Sequence, residues 1–326
     1  MNRTSLQTAA LALMLCGLSL GAAAQTVAIS DDGMTQISLK AGMMSGESGE
    51  YVYDADGSAS GIPGYKLSEL QWELDDVLMA GINLRHRFSE GFALGVDYWT
   101  NAGDGDGYMT DYDWFYIGLD WSERSQHPDT TVRDANRIDI SGEFLLHRNA
   151  NERFDVYALL GYRRDHFDWQ ARGGTAIYSN VTYRDTYLVF ADVPVISYEQ
   201  TWEVPYLGVG LRSTSMVSGR RVTADFSARY SVWAKGEDID IHHLRDLRFE
   251  ESGTDGQWLD LQLNIDVALD TNLDLTFGVS HSVYSEVKGP TTITDLTTGA
   301  TSYYPGDAAG LDHSSTLLSL GLNYRM

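Results

Sequence analysis

Two short strings in the sequence carry residue types and spacings that can do chemistry. Asp111 and Asp113 stand two apart in Met109-Thr110-Asp111-Tyr112-Asp113-Trp114, and Asp238, Asp240 and His242 do so in Asp238-Ile239-Asp240-Ile241-His242. In an extended chain, residues two apart project from one face. Each string would therefore offer its acids, and the second its histidine, to a single side. An aspartate beside a histidine orients the ring and lets it work as a general base near neutral pH. A facing pair of carboxylates could hold a water, with coupled ionisations that sequence cannot divide between them. Either string alone also has a plain reading as a solvated turn. The neighbouring Asp104-Gly105-Asp106-Gly107 is such an acidic, glycine-rich stretch, and it lacks the closing Glu of an EF-hand calcium loop. No Walker motif, dinucleotide fingerprint, HExxH helix, GxSxG elbow or cysteine cluster competes with these strings.

The elements that must position them are strands in an exported chain. Arg3 gives a positive start, Ala9 to Leu20 is largely apolar, and Ala22-Ala23-Ala24 offers a small-residue cleavage site. Residues 1–24 read as a secretory signal peptide, too short to span a membrane as a helix, and residues 25–326 as the folded domain. The single cysteine, Cys16, falls in the leader, so the domain uses neither a disulfide nor a thiol nucleophile. The net charge is −23, which argues against nucleic acid and for basic peptides, basic proteins or calcium as partners.

Alternation of period two recurs along the chain. Ile138, Ile140, Gly142, Phe144 and Leu146 interleave with Arg137, Asp139, Ser141, Glu143 and His147, and Leu318, Leu320, Leu322 and Tyr324 interleave with Ser319, Gly321, Asn323 and Arg325. The pattern predicts ten strands, near 34–52, 67–88, 91–101, 136–148, 153–170, 197–214, 220–235, 257–269, 272–286 and 314–326. Tight turns at Ser89-Glu90-Gly91, Asn149–Glu152, Ser215–Gly219 and Asp270-Thr271-Asn272 alternate with five long polar connections. Short turns on one side and long loops on the other predict an all-β, ten-stranded antiparallel transmembrane barrel with long extracellular loops. Asp97, Asp139, Glu143, Asp225 and Arg229 would line its lumen, and Tyr98, Tyr162, Tyr206, Trp233 and Tyr324 would sit in the interfacial girdles. A soluble sandwich would bury those charges in an apolar core. Parity poses one problem. Val222, Ala224, Phe226, Ala228, Tyr230 and Val232 point outward, which would send Asp238, Asp240 and His242 outward too, so a bulge near Gly236 must reverse the face.

At these residues the chain resembles the omptin family of outer-membrane endopeptidases. The shared strings are Met-x-Asp-x-Asp-Trp at 109–114, His127-Pro128-Asp129-Thr130, Ala171-Arg172-Gly173-Gly174 with Ile177-Tyr178-Ser179, and Asp238-x-Asp240-x-His242. The resemblance implies a ten-stranded barrel rising above the membrane, with its active site in an extracellular groove. It implies Asp111, Asp113, Asp240 and His242 as the catalytic set. It also implies Glu50 and Asp238, with Met109, as the pocket that takes an Arg or Lys side chain next to the scissile bond. Ser125 and His127 match family positions as well, and a His-Pro-Asp turn is more often structural. The family further implies lipopolysaccharide as activator, bound on the outward face of neighbouring strands. Here the chain departs from the family. Where members read Tyr-x-Glu-x-Arg it has Tyr162, Arg164 and His166, and Thr201 stands where the next strand contributes an Arg.

The resulting expectation is a surface endopeptidase of the cell outer membrane, acting on basic peptides as a monomer, with no metal and no organic cofactor. The competing classes are a calcium-binding or adhesive surface barrel and a pore, the last disfavoured because ten strands leave a lumen mostly filled by side chains.

Overall fold

The computed structural model describes residues 35–149 and 153–326. The leader and its cleavage site lie outside the described residues, as do three of the four residues of the turn at 149–152. The described strands are β1 (Thr35–Asp54), β2 (Tyr65–Ser89), β3 (Phe92–Asn101), β4 (Gly105–Asp113), β5 (Glu123–Arg148), β6 (Phe154–Arg172), β7 (Thr175–Tyr178), β8 (Thr186–Val189), β9 (Pro194–Val217), β10 (Arg220–His242), β11 (Leu247–Ala268), β12 (Leu273–Asp295) and β13 (Thr301–Arg325). The pairing order runs β3-β2-β1-β13-β12-β11-β10-β9-β6-β5, and β3 pairs with β5 to close the ring. β4 continues β3 upward between β2 and β5, so the ring has the ten staves expected, one of them in two pieces. All neighbours are antiparallel and no edge is left open within the ring. β7 and β8 form a hairpin against the upper end of β5.

The outward residues of the lower staves are apolar. Leu39, Leu160, Leu207 and Leu318 are all more than half exposed, which is the surface a hydrocarbon layer requires. Tyr98, Tyr162, Trp233 and Tyr324 are exposed near the limits of this band, as expected. Tyr206 is not. It points into the lumen, where its hydroxyl donates to Asp139 Oδ1 at 2.7 Å, because Val204 and Tyr206 hold inward parity while Leu207 and Val209 face lipid.

The largest difference from the sequence reading is strand length. β5 begins at Glu123 rather than near 136, β12 runs to Asp295, β13 starts at Thr301, and β10 and β11 continue to a short turn at 243–246. What reads as long loop is therefore mostly strand. A 25-residue strand such as β2 is roughly 80 Å long, against an apolar band about 25 Å tall. Above the band the backbone still needs partners, but the outward face is no longer apolar and, in β5, the inward parity is interrupted, so the alternation that betrays a strand fades.

The lumen is filled. Arg163 pairs with Asp165 at 2.9 Å and Asp260 at 2.8 Å, Arg229 with Asp139 at 2.8 Å and Asp260 at 2.6 Å, and Arg137 with Asp165 at 2.7 Å. Lower down, Glu143 accepts from both Arg85 and Arg212. Above this network Trp72, Trp169, Tyr198, Trp202, Trp258 and Tyr284 form buried aromatic layers. Side chains of the described residues thus fill much of the lumen, as a ten-stranded ring leads one to expect.

Candidate active site

The bulge that the sequence requires exists, three to four residues before Gly236. Ser227, Arg229 and Ser231 point inward, Val232 and Trp233 both face out, and Ala234, Gly236, Asp238 and Asp240 point inward. Pairing slips between Ser231 and Ala234 against β11, and between Tyr230 and Lys235 against β9. The Ser231 hydroxyl secures the break by donating to Pro205 O at 2.7 Å while accepting from Trp233 N at 3.0 Å. This one extra residue turns Asp238 and Asp240 into the barrel mouth.

His242 Nε2 stands 2.5 Å from Asp240 Oδ2. Arg245, from the turn that follows, places Nη2 2.5 Å from His242 Nδ1. A guanidinium can only donate, so Nδ1 accepts and the ring proton of a neutral His242 lies on Nε2, toward Asp240. Sequence reasoning missed Arg245, because nothing in the string shows that the turn folds back over the histidine.

Asp111 and Asp113 sit on β4 rather than in a loop. Asp111 lies opposite Leu70 and Ser125, and Asp113 opposite Ser68 and Glu123. The Ser68 hydroxyl donates to Asp111 Oδ1 at 3.2 Å. Burial pushes Asp111 up to about 7, with the Asp240 charge adding to it, and burial with the charge of Asp111 pushes Asp113 up to about 8. The charge of Asp240 is felt at Asp111, so the two strings lie within electrostatic reach of each other.

Glu50 on β1 and Asp238 meet as expected, and a third acid joins them. Glu251 on β11 is directly opposite Asp238 in register, and oxygens of Glu50, Asp238 and Glu251 lie within 4.8 Å of one another. All three are at most 5% exposed. Burial raises all three well above the usual carboxylate range, and Asp238 and Asp240 raise Glu50 further. Glu251 could have been found from sequence once the turn at 243–246 is recognised, since folding the hairpin about it brings 251 opposite 238. Met109 is fully buried in the core with Trp72 and Trp169, opposite Trp72 and His127 in register.

Ser125 and His127 belong to the wall. His127 Nδ1 donates to Gly173 O at 2.6 Å, so Nε2 accepts from the Ser125 hydroxyl at 2.9 Å. The ring anchors the Gly173-Gly174 turn. Gly174 has φ +101°, and a Cβ there would meet Gln126 O at 2.3 Å and His127 Nδ1 at 2.8 Å, which explains the glycine at 174.

Tyr162, Arg164 and His166 face outward on β6 at and above the upper edge of the apolar band, as parity predicts. Arg164 is opposite Glu203, and His166 Nδ1 is 2.9 Å from the Thr201 hydroxyl, its partner in register.

Fold and groove together define an outer-membrane barrel that carries an acid–histidine site at its extracellular mouth. The model of the omptin family matches residues 31–326, and the chain belongs to that family. The plasminogen activator of Yersinia pestis is 30% identical over 327 aligned residues covering all of both chains, and the outer membrane protease OmpP of Escherichia coli (strain K12) is 26% identical over 98% of this chain and 99% of its own. The crystal structure of outer membrane protease OmpT from Escherichia coli superposes with a TM-score of 0.82 at 22% identity, covering 93% of this chain and 99% of that one. The chain is an outer-membrane peptidase with its site facing outward.

Proposed function

We propose that the protein hydrolyses peptide bonds next to Arg or Lys in basic peptides and proteins, as a monomer. In this mechanism His242, held by Asp240, takes a proton from the attacking water through Nδ1. Arg245 must first swing off that nitrogen, as an exposed side chain on a turn can. The Asp111–Asp113 pair holds the water from the far side. With one proton retained at neutral pH, the pair can also donate a hydrogen bond to the oxyanion that develops on the peptide carbonyl. The substrate's basic side chain enters the carboxylate well of Glu50 and Asp238, where buried acids bind a guanidinium or ammonium strongly.

The observation that carries this reading is the partnerless state of that well. Glu50 Oε2 and both oxygens of Asp238 have no hydrogen-bond donor although they are buried, a state that a cationic side chain relieves. Cleavage-site profiling of a peptide library tests it. Arg or Lys beside the scissile bond is expected, with the preference weakened in Glu50→Gln/Asp238→Asn and association slowed by salt. A profile dominated by apolar residues at that position would refute it. Lipopolysaccharide is proposed as activator through the outward face of β6 and β9.

A further inference from the structure

Glu251 changes what the pocket can hold. A basic side chain brings one positive charge, and two carboxylates already suffice to pair with it. A third acid set squarely opposite Asp238 adds repulsion that a single cation leaves uncompensated, since like charges directly across a strand pair destabilise. Neither oxygen of Glu251 has a hydrogen-bond partner, and neither does either oxygen of Asp238. The Tyr198 and Thr291 hydroxyls lie beside Asp238 and Glu251 without closing a well-formed bond to them.

The spacing suits an ion. Calcium takes six to eight oxygens at about 2.3–2.6 Å, so two of its ligands can be up to roughly 5 Å apart. The three acids each present an oxygen within 4.8 Å of the others. Magnesium, at about 2.1 Å with strict octahedral angles, fits a looser trio less well. Each acid comes from a different strand, β1, β10 and β11, so an ion would also tie together three staves at the rim.

We propose that Glu50, Asp238 and Glu251 form a site for a calcium-class divalent cation, completed by Glu251, and that the ion competes with the basic side chain of the substrate for the well. The competitive part rests on the basic-pocket reading above, whereas the ion site itself does not. External divalent cation would then set how readily the peptidase accepts substrate, by occupying the pocket without touching the Asp240–His242 pair.

Terbium, a luminescent stand-in for calcium, tests the site on the refolded full chain free of lipopolysaccharide. Trp72 is stacked on Tyr198, with ring centroids 5.1 Å apart, and Tyr198 feels the charges of all three acids, so a bound terbium ion should be sensitised by indole excitation. The expected result is saturable emission that calcium displaces, with affinity about tenfold or more weaker in Glu251→Gln, since calcium affinity follows ligand charge. Retained heat-modifiable migration confirms that the variant barrel is folded, and Glu251→Asp, which keeps the charge on a shorter arm, should fall between the two. Emission that is absent, or equal in wild type and Glu251→Gln, overturns the site. In the second arm, calcium should raise KM for a dibasic peptide and leave kcat unchanged in the wild type, with Glu251→Gln insensitive. An equal calcium effect on both proteins overturns the competition. With lipopolysaccharide added to this second arm, cleavage of peptides flanked by apolar residues in preference to the dibasic one would refute the basic-pocket reading while the terbium arm still decides the ion site.

Discussion

Two regions of this barrel bury charge, and they do so in opposite ways. In the lower lumen Arg137, Arg163 and Arg229 interlock with Asp139, Asp165 and Asp260, and serine and tyrosine hydroxyls take remaining lone pairs, as Ser282 does for Asp260 at 2.5 Å. At the mouth, Glu50, Asp238 and Glu251 lie together within reach of the charges of Asp240 and Asp111, and the cation felt by Asp111 and Asp113 is the exposed Arg245. The first cluster is electrically closed and holds staves together. The second is open and waits for charge from outside. Burial alone therefore does not separate the two clusters, whereas the presence or absence of a paired cation does.

The strongest test of that distinction is at the mouth. Asp240→Asn and His242→Ala should abolish cleavage, with losses of about a hundredfold to ten-thousandfold in kcat/KM, while heat-modifiable migration shows an intact barrel. A folded variant with near-normal turnover would remove the dyad from the mechanism. The complementary test is in the lumen. Arg163→Met removes one of the two cations paired with each of Asp165 and Asp260, and breaking a buried pair by removing one partner commonly costs about 3–5 kcal/mol. The urea midpoint should fall sharply, whereas Glu251→Gln at the mouth should leave it unchanged or raise it. Equal losses in the two variants would show that both clusters are structural.

This division was partly legible in the sequence. The ten-stave ring followed from alternation in 137–147 and 318–325, where one face must meet lipid and the other a polar lumen. The upper barrel was not legible. In β5 the inward set runs Ser125, His127, then Thr130, Val132, then Ala135, Arg137, with parity broken at Pro128–Asp129 and again at Arg133–Asp134. Two breaks in thirteen residues erase a period-two signal even though the strand is continuous. Asp238, Asp240 and His242 were found from their spacing, and the need for a bulge was visible because their parity contradicted their chemistry. Placing it at Val232–Trp233 required the Ser231 hydrogen bonds, which no pattern encodes. Glu251 follows from hairpin register once the turn at 243–246 is placed, whereas Arg245 depends on turn geometry that only the fold shows.

The open cluster should also give the mouth its own pH dependence. The folded values of Asp111 and Asp113 lie near 7 and 8, against about 3.9 for an unfolded aspartate. A raised folded value means that the stabilising contribution is complete below about pH 4 and is lost as pH rises through 7 to 8. Hydrogen-exchange protection of upper β4 and β10 should therefore decline between pH 5 and about 8.5 in the wild type, and decline less in Asp113→Asn. In the same window kcat/KM should fall above about pH 8, as the pair loses the proton available to the oxyanion, and Asp113→Asn should flatten that limb. Protection that rises with pH would invert the sign and place a counter-ion in the groove.

The smallest expected effect lies on the outer wall, where lipid phosphates would meet a surface that is neither closed nor open. Arg164 faces Glu203, and Lys235, opposite Glu203 on its other side, is 2.6 Å from Glu237. The patch thus offers Arg164 opposite one acid in register and Lys235 already paired with another, so a phosphate meets a partly neutralised surface. Arg164 is the better donor, because a guanidinium binds phosphate bidentately. His166 is hydrogen-bonded to Thr201 and stands 4.0 Å from Asp134, so it adds charge to the patch only when protonated. Lipopolysaccharide activation should therefore be shallow, and weaken severalfold in Arg164→Ala. Titrating lipopolysaccharide against peptide cleavage at neutral and mildly acidic pH, for wild type and Arg164→Ala, makes the measurement. Superimposable curves for the two proteins at both pH values would place the lipid contact elsewhere on the barrel.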